Sequence, residues 1–514
     1  MPLALFEQLL ANGADDAVAL AAPGRPPLTY AGLRALVATT LASLNAAGAG
    51  RNDRVAIVLD NGPEMAACFL ACAAGTASAP LNPAYRADEF EFYLADLKAK
   101  LLVVERTSTS PAIAVADKLG VPIVDLVVDA GAPAGSFRLE PRSAATATAA
   151  VTEAAKGGFS EAADTAMVLH TSGTTSRPKI VPLSAANLAA SAANIRATLA
   201  LVPGDVGLNI MPLFHIHGLI AGVLAPVSAG SAVYCTPGFN ALKFFQWMDD
   251  AKPTWYTAVP TMHQAIVSRA RGNADVIARH PLRFMRSSSS SMPPQVIREL
   301  EAAFGAPLIE AYGMTEATHQ MASNPLPPKT RKPGTVGVPA GPEIEIMGGD
   351  GELLAAGATG EIVIRGANVT AGYENNAAAN AEGFLSGWFR TGDQGVKDAD
   401  GYLSITGRLK EIINRGGEKV SPREIDEILM DHPAVAQVVC FGMPHAKLGE
   451  EVAAVVVLRP GSAATDRELQ AFVAERAADY KVPKKIVFMD EIPKGATGKL
   501  QRIGLAGKLG LGPA

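Results

Sequence analysis

Three features of the 514-residue sequence predict an α/β fold, with a large N-terminal part and a small α+β unit at the C-terminal end. Short β-rich runs alternate with helical segments through the first part of the chain, the pattern of a largely parallel sheet covered by helices. Glycine-punctuated strands replace this alternation after Gly334. Beyond Arg408 a helix, two strands, a helix and a strand follow within about a hundred residues, the usual size of a domain. Hydrophobic residues make up 48% and charged residues 18% of the chain, which favours large buried cores over disorder.

Residues 28–50 carry apolar side chains every three or four positions and read as a helix. Residues 54–59 (RVAIVL) are a β-rich run, 64–74 are helical and 101–105 are a buried strand. From 130 to 158 the chain is rich in Ala, Gly, Ser, Thr and Pro without periodicity, and reads as a loop-rich surface connection. Residues 167–170 form a short strand that runs into a polar loop, 239–250 a helix, and 255–259 a strand stopped by Pro260. Further strands are expected at 282–287 and 308–311, then at 344–347 and 361–365 in a β-rich subdomain. The C-terminal unit is expected to contain helices at 422–431 and 466–478 and strands at 435–442, 452–458 and 486–488. The expected division is 1–408 and 409–514.

Composition narrows the function classes. A net charge of −5 argues against a general nucleic-acid binder, which needs a basic face. The four cysteines, Cys68, Cys72, Cys235 and Cys440, form no Cys-x-x-Cys pair and read as small buried hydrophobes in a reducing compartment. The N-terminus lacks a signal-peptide pattern, no apolar run reaches membrane-spanning length, and the C-terminus is not a peroxisomal address. A cytoplasmic protein without membrane or nucleic-acid partners is expected.

The chemistry begins at 171–179 (TSGTTSRPK). Its hydroxyls and Gly-permitted amides can wrap an anion, and Lys179 adds positive charge. It is not a Walker A loop, because no Gly-Lys-Ser/Thr closes it. A plain polar turn has the same composition, so order along the chain decides. Five further motifs follow: 211–218 (MPLFHIHG), 310–316 (EAYGMTE), 388–393 (WFRTGD), 407–417 (GRLKEIINRGG) and 493–499 (PKGATGK). Together they resemble the adenylate-forming superfamily, which includes acyl-CoA synthetases, luciferases and peptide-synthetase adenylation domains. The resemblance runs from about Leu28 to Arg502. One departure is Ile180, where many relatives carry Gly.

That resemblance implies an ATP-dependent enzyme that converts a carboxylic acid to an acyl-adenylate and hands it to coenzyme A. A carboxylate must then attack the α-phosphate, anion against anion, so the site must neutralise charge and hold the reactants in line. The loop from Thr171 through Ser172, Gly173, Thr174 and Thr175 to Lys179 would hold the β- and γ-phosphates. Glu316 would bind Mg²⁺, a hard ion suited to carboxylate and phosphate oxygens, and Thr315 would contact the α-phosphate. Tyr312 would stack near the adenine, with backbone of Ser288–Ser290, Glu310 and Ala311 around it. Asp393 and Arg408 would reach the ribose. Lys499 would bridge carboxylate and phosphate and stabilise charge developing in the transition state. Lys410 is the implied hinge of a mobile C-terminal domain with two active orientations. Arg415, Gly416 and Gly417 would face coenzyme A, although a plain turn explains those glycines nearly as well.

For the acid, 286–292 (RSSSSSM) places hydroxyls where many relatives carry Gly and Ala. His215 and His217 fall on one side if their segment is extended, and His319 follows the Thr-Glu pair. Such a lining suits a small acid with a second polar end. The stretches 169–179, 254–261 and 310–325 are similar to oxalate–CoA ligases. Malonyl–CoA ligases typically carry Arg where this chain has Ala311. The resemblance makes His215, Ser289 and His319 candidates for the distal carboxylate of oxalate, with histidine in its protonated form. His217, Ser287 and Ser291 are expected to serve structure instead.

The rival readings are a ligase for malonate or another short or aromatic acid, and an inactive nucleotide-binding scaffold on the same fold. The scaffold reading predicts loss of Lys499, Glu316 or Asp393, and all three are present. A luciferase-like oxygenase would consume oxygen, and a peptide-synthetase module would need a carrier domain after Arg502.

Overall fold

The computed structural model describes residues 5–142, 154–171, 178–493 and 502–511. Two large sheets build the first part. One runs in the order Arg138–Pro141, Ile123–Val127, Leu101–Glu105, Arg54–Val58, Ala77–Pro80, Thr165–His170 and Ile180–Ser184. Its inner strands are parallel and both outermost strands are antiparallel to their neighbours. The other runs in the order Val338–Pro339, His319–Ser323, Leu308–Met314, Phe284–Ser287, Trp255–Ala258, Val206–Asn209, Ala232–Cys235, Val18–Ala21 and Leu28–Thr29. Its core from Leu308–Met314 to Val18–Ala21 is parallel.

Helix Pro63–Gly75 touches strands of both sheets. Every residue in it except Glu64 is buried, and a helix that is apolar all round belongs inside a protein. Proline at its first position costs no hydrogen bond there. Cys68 and Cys72 lie on this helix, and all four cysteines are buried free thiols. No helix among the described residues is long and apolar enough to cross a membrane.

An antiparallel sheet follows, built on Glu343–Met347, Thr359–Arg365, Trp388–Lys397, Phe384–Leu385 and Leu403–Arg408. The last sheet combines Glu418–Val420, Ile413–Arg415, Gly449–Leu458, Val435–His445 and Lys485–Phe488 with helices Pro422–Met430 and Asp466–Ala474. These are the β-rich and α+β parts that the sequence predicts.

Three local expectations are corrected. Arg138–Pro141, read as loop, is an edge strand; its exposed Arg138 and Glu140 pair with each other at 2.7 Å, so its stability comes from ladder bonds and ion pairs that hydropathy does not register. The strand expected to end at Ala311 continues to Met314, because it pairs with the antiparallel return His319–Ser323. Residues His217–Leu224 form a π-helix, so the segment that would put His215 and His217 on one side is not extended.

Candidate active site

Parallel strands Trp255–Ala258, Phe284–Ser287 and Leu308–Met314 end together. Open α/β sheets bind ligands beyond the carboxyl ends of such strands. A cleft of about 780 Å³ opens there, lined on one side by Thr171, Lys179, His215, Ser289, Ala311 and Tyr312. Its opposite wall includes Arg423, Asp426, Arg502 and Ile503 of the C-terminal unit.

One end of the cleft collects anion- and hydroxyl-binding groups. The Thr171 amide donates to the Lys179 carbonyl at 2.9 Å, and the Lys179 amide donates to Thr171 Oγ1 at 3.1 Å. These bonds close the base of the polar loop, whose Ser172, Gly173, Thr174 and Thr175 lie outside the described residues. Ile180 starts the next strand and is buried in an apolar cluster. Lys179 Nζ sits 4.4 Å from the centroid of the Tyr373 ring, and the Tyr373 hydroxyl donates to Glu316 Oε1 at 2.7 Å. Thr315 and Glu316 stand on a one-turn 3-10 helix and both line the cleft.

Tyr312, Asp393 and Arg408 form a second group. The Tyr312 hydroxyl donates to Asp393 Oδ2 at 2.5 Å, and Arg408 Nε donates to Asp393 Oδ1 at 2.8 Å. Asp393 and Arg408 are direct neighbours across antiparallel strands, and Asp393 holds the Arg408 guanidinium more firmly charged than an ordinary arginine. Each carboxylate oxygen accepts about two hydrogen bonds, so Asp393 keeps capacity for two incoming hydroxyls. Ala311 lines the cleft, and its carbonyl accepts from Ser288 Oγ at 3.0 Å. The Glu310 side chain turns to the Gly334 amide at 3.0 Å, and burial pushes its carboxyl up to about 8.

The other end is a buried polar cluster. His215 lines the cleft, whereas His217 is fully buried. His217 Nδ1 lies 3.1 Å from Ser289 Oγ, and its Nε2 lies 2.7 Å from Thr257 Oγ1. The His217 and His319 rings stack at 4.8 Å. Behind them Arg286, fully buried, donates from Nη1 to His217 Nε2 at 3.2 Å and from Nη2 to His319 Nε2 at 3.1 Å. Strand register explains the convergence: Thr257 and Arg286 are paired, so their side chains share a face. The backbone is strained here, with Ser289, Thr318 and His319 at φ values of 73°, 49° and 94°. Such residues cost ~1–3 kcal/mol each and gather at functional sites. Gly313 is required, because a Cβ there would meet the His319 carbonyl oxygen at 1.8 Å.

Sequence reasoning placed Ser289 and His319 at this end but missed Arg286, and it gave His217 a role away from the site. Against Arg286, which can only donate, the Nε2 of His319 that faces it is the accepting nitrogen. The signal available was a charged residue inside the buried strand Phe284–Ser287.

Lys410 lines the cleft in the turn between Leu403–Arg408 and Ile413–Arg415. Arg415 is not in the cleft wall; its Nε and Nη2 engage Glu451 at 2.6 and 3.0 Å. Gly416 and Gly417 form the two-residue turn of a hairpin, at φ 60° and 102°, a geometry that favours glycine. Lys499 lies outside the described residues.

The fold is that of an adenylate-forming enzyme. Residues 6–374 match the AMP-binding enzyme family and residues 424–499 match the AMP-binding enzyme C-terminal domain; the chain belongs to that family. It is 45% identical to an oxalate–CoA ligase of Arabidopsis thaliana, over 95% of this chain and 94% of that one. It is 43% identical to an oxalate–CoA ligase of Saccharomyces cerevisiae, over 88% and 86%. Among solved structures it is similar to ATP-bound MatB from Rhodopseudomonas palustris, with a TM-score of 0.87 and 30% identity over 98% of both chains.

Proposed function

We propose that the protein is an oxalate–CoA ligase that uses ATP and releases AMP and pyrophosphate. The observation that carries this reading is the acid end of the cleft. Ser289 and His319 line it, backed by His217 and Arg286, where an apolar acid would need apolar walls. Ala311 supplies no guanidinium for malonate, and the oxalate–CoA ligases among the relatives favour the same acid.

In the first half-reaction an oxalate oxygen attacks the α-phosphorus and pyrophosphate leaves, giving oxalyl-adenylate. In the second, the coenzyme A sulfur attacks the acyl carbon, AMP leaves, and the thiol proton is released. Ser289, His319 and His215 hold the distal carboxylate. Asp393 accepts from the ribose hydroxyls with Arg408 alongside, Tyr312 lies against the adenine, and Ala311 and the Glu310 backbone border it. The loop from Thr171 to Lys179 holds the outer phosphates, and Thr315 contacts the α-phosphate. Glu316 would hold Mg²⁺. Its buried carboxylate lines the cleft and commits one oxygen to Tyr373, and one carboxylate oxygen with phosphates and water suits this ion. When bound, Mg²⁺ would supply charge neutralisation for the phosphates. Lys499 bridges the two reacting anions.

The reading includes a division into 1–408 and 409–514 with the hinge at Lys410, contacts from the Arg415–Gly417 turn to coenzyme A after rotation, and a cytoplasmic location. Incubation with oxalate, ATP, Mg²⁺ and coenzyme A is expected to yield oxalyl-CoA by mass spectrometry. His319→Ala is expected to raise the KM for oxalate about tenfold, with the KM for ATP within about twofold, as for loss of one hydrogen bond to a charged group. An unchanged oxalate KM would remove His319 from the acid site.

A further inference from the structure

Arg286 stands behind the acid end without a step of its own in the proposed reaction. It is fully buried and makes no ion pair among the described residues. Its four donated hydrogen bonds go to His217 Nε2 at 3.2 Å, Thr257 Oγ1 at 3.3 Å, His319 Nε2 at 3.1 Å and Gln320 Oε1 at 3.4 Å. Its Nε has no hydrogen-bond partner. Burial alone, with no neighbouring carboxylate, lowers its pKa to about 9, so it remains a cation at neutral pH. A buried charge without a counter-ion is costly and persists only where something else uses it.

All nitrogens of a guanidinium are donors, so each ring nitrogen facing it must accept. For His319 this puts the proton on Nδ1, beside Gly313 of the cleft wall. For His217, whose single Nε2 lone pair is shared between the Thr257 hydroxyl at 2.7 Å and Arg286 Nη1 at 3.2 Å, the Nδ1 proton points at Ser289 Oγ at 3.1 Å. Ser289 Oγ then accepts from behind, and its own proton turns toward the cleft that it lines. One buried cation thus sets a floor of donors, and its field adds attraction for an anion in a region of low dielectric.

We infer that Arg286 is the positioning residue that makes this enzyme select an acid with a second carboxylate, by fixing His217 and His319 as Nδ1 donors and placing buried positive charge behind Ser289. The inference rests on the reading of the substrate as a small dicarboxylate.

Steady-state kinetics of Arg286→Met and Arg286→Lys test it, with thermal melting to establish folding. Arg286→Met is expected to raise the KM for oxalate by ~30-fold or more and to leave the KM for ATP within about twofold. Arg286→Lys, which keeps the charge but not the fork, is expected to fall between it and the wild type. An oxalate KM unchanged in a folded variant overturns the inference and leaves the ligase reading standing. If the wild type ignores oxalate, the oxalate reading fails while the ligase class stands, and the same variants are assayed with the acid it does use. A raised KM for another dicarboxylate sustains the role of Arg286, and a monocarboxylate substrate overturns it. If Arg286→Met does not fold, Arg286→Lys and the ¹⁵N-histidine spectrum of the wild type decide. Neutral Nδ1–H rings at His217 and His319 are expected, and an Nε2–H ring at His319 overturns the inference.

Discussion

Lys499→Ala is expected to slow oxalyl-adenylate formation by ~10³-fold or more, the scale of losing a preorganised charge at a transition state. The same variant should transfer supplied oxalyl-adenylate to coenzyme A within a few-fold of the wild-type rate. Carboxylate and α-phosphate repel as they approach, and an ammonium between them offsets more charge in the transition state than in the ground state. Once the adenylate exists, that need is gone. Arg502, three residues further along, lines the cleft and is held by Asp426 at 2.8 Å and by Glu411 at 3.1 Å. Pyrophosphate exchange reads the first step and thioester formation from the adenylate reads the second. Equal loss in both would remove Lys499 from its assigned role.

Asp393→Asn should raise the KM for ATP by ~10²-fold or more. Two hydrogen bonds from ribose hydroxyls to a carboxylate are worth ~1.5–3 kcal/mol each, and each 1.4 kcal/mol is about tenfold. The amide keeps the shape, but its nitrogen is a donor and can accept neither the Tyr312 or Arg408 bond nor a ribose hydroxyl. The KM for oxalate should change little, because the acid end is built from other strands. Deoxy-ATP separates this role from a structural one. Wild-type protein should lose affinity when a ribose hydroxyl is absent, and Asp393→Asn should lose little more. A variant that still discriminates ATP from deoxy-ATP as the wild type does would contradict the assignment.

The grouping of Tyr312, Asp393 and Arg408 was legible because these residues sit in short motifs whose spacing follows the strands. Tyr312, Asp393 and Arg408 meet because Leu308–Met314 ends at the same edge as the antiparallel pair that carries the other two. Of the polar residues at the other end, the sequence offered His215, Ser289 and His319, all of which line the cleft. His217 reaches the cluster through a π-helix, a geometry that no periodicity announces. Arg286 sits in a four-residue strand buried throughout, where apolar neighbours conceal that one side chain carries charge. The Arg-Gly-Gly run at Arg415 is held in this orientation by a salt bridge to Glu451 and a tight turn, and a contact made only after rotation leaves no mark on that geometry.

The most direct measurement is AMP release by the purified protein with ATP, Mg²⁺ and coenzyme A across oxalate, malonate, acetate, a medium-chain fatty acid and a cinnamate. A kcat/KM for oxalate well above that for every other acid is the predicted result. A preference for the fatty acid or the cinnamate would contradict the account, because the buried cation and its histidines would then face a substrate with no second carboxylate to bind.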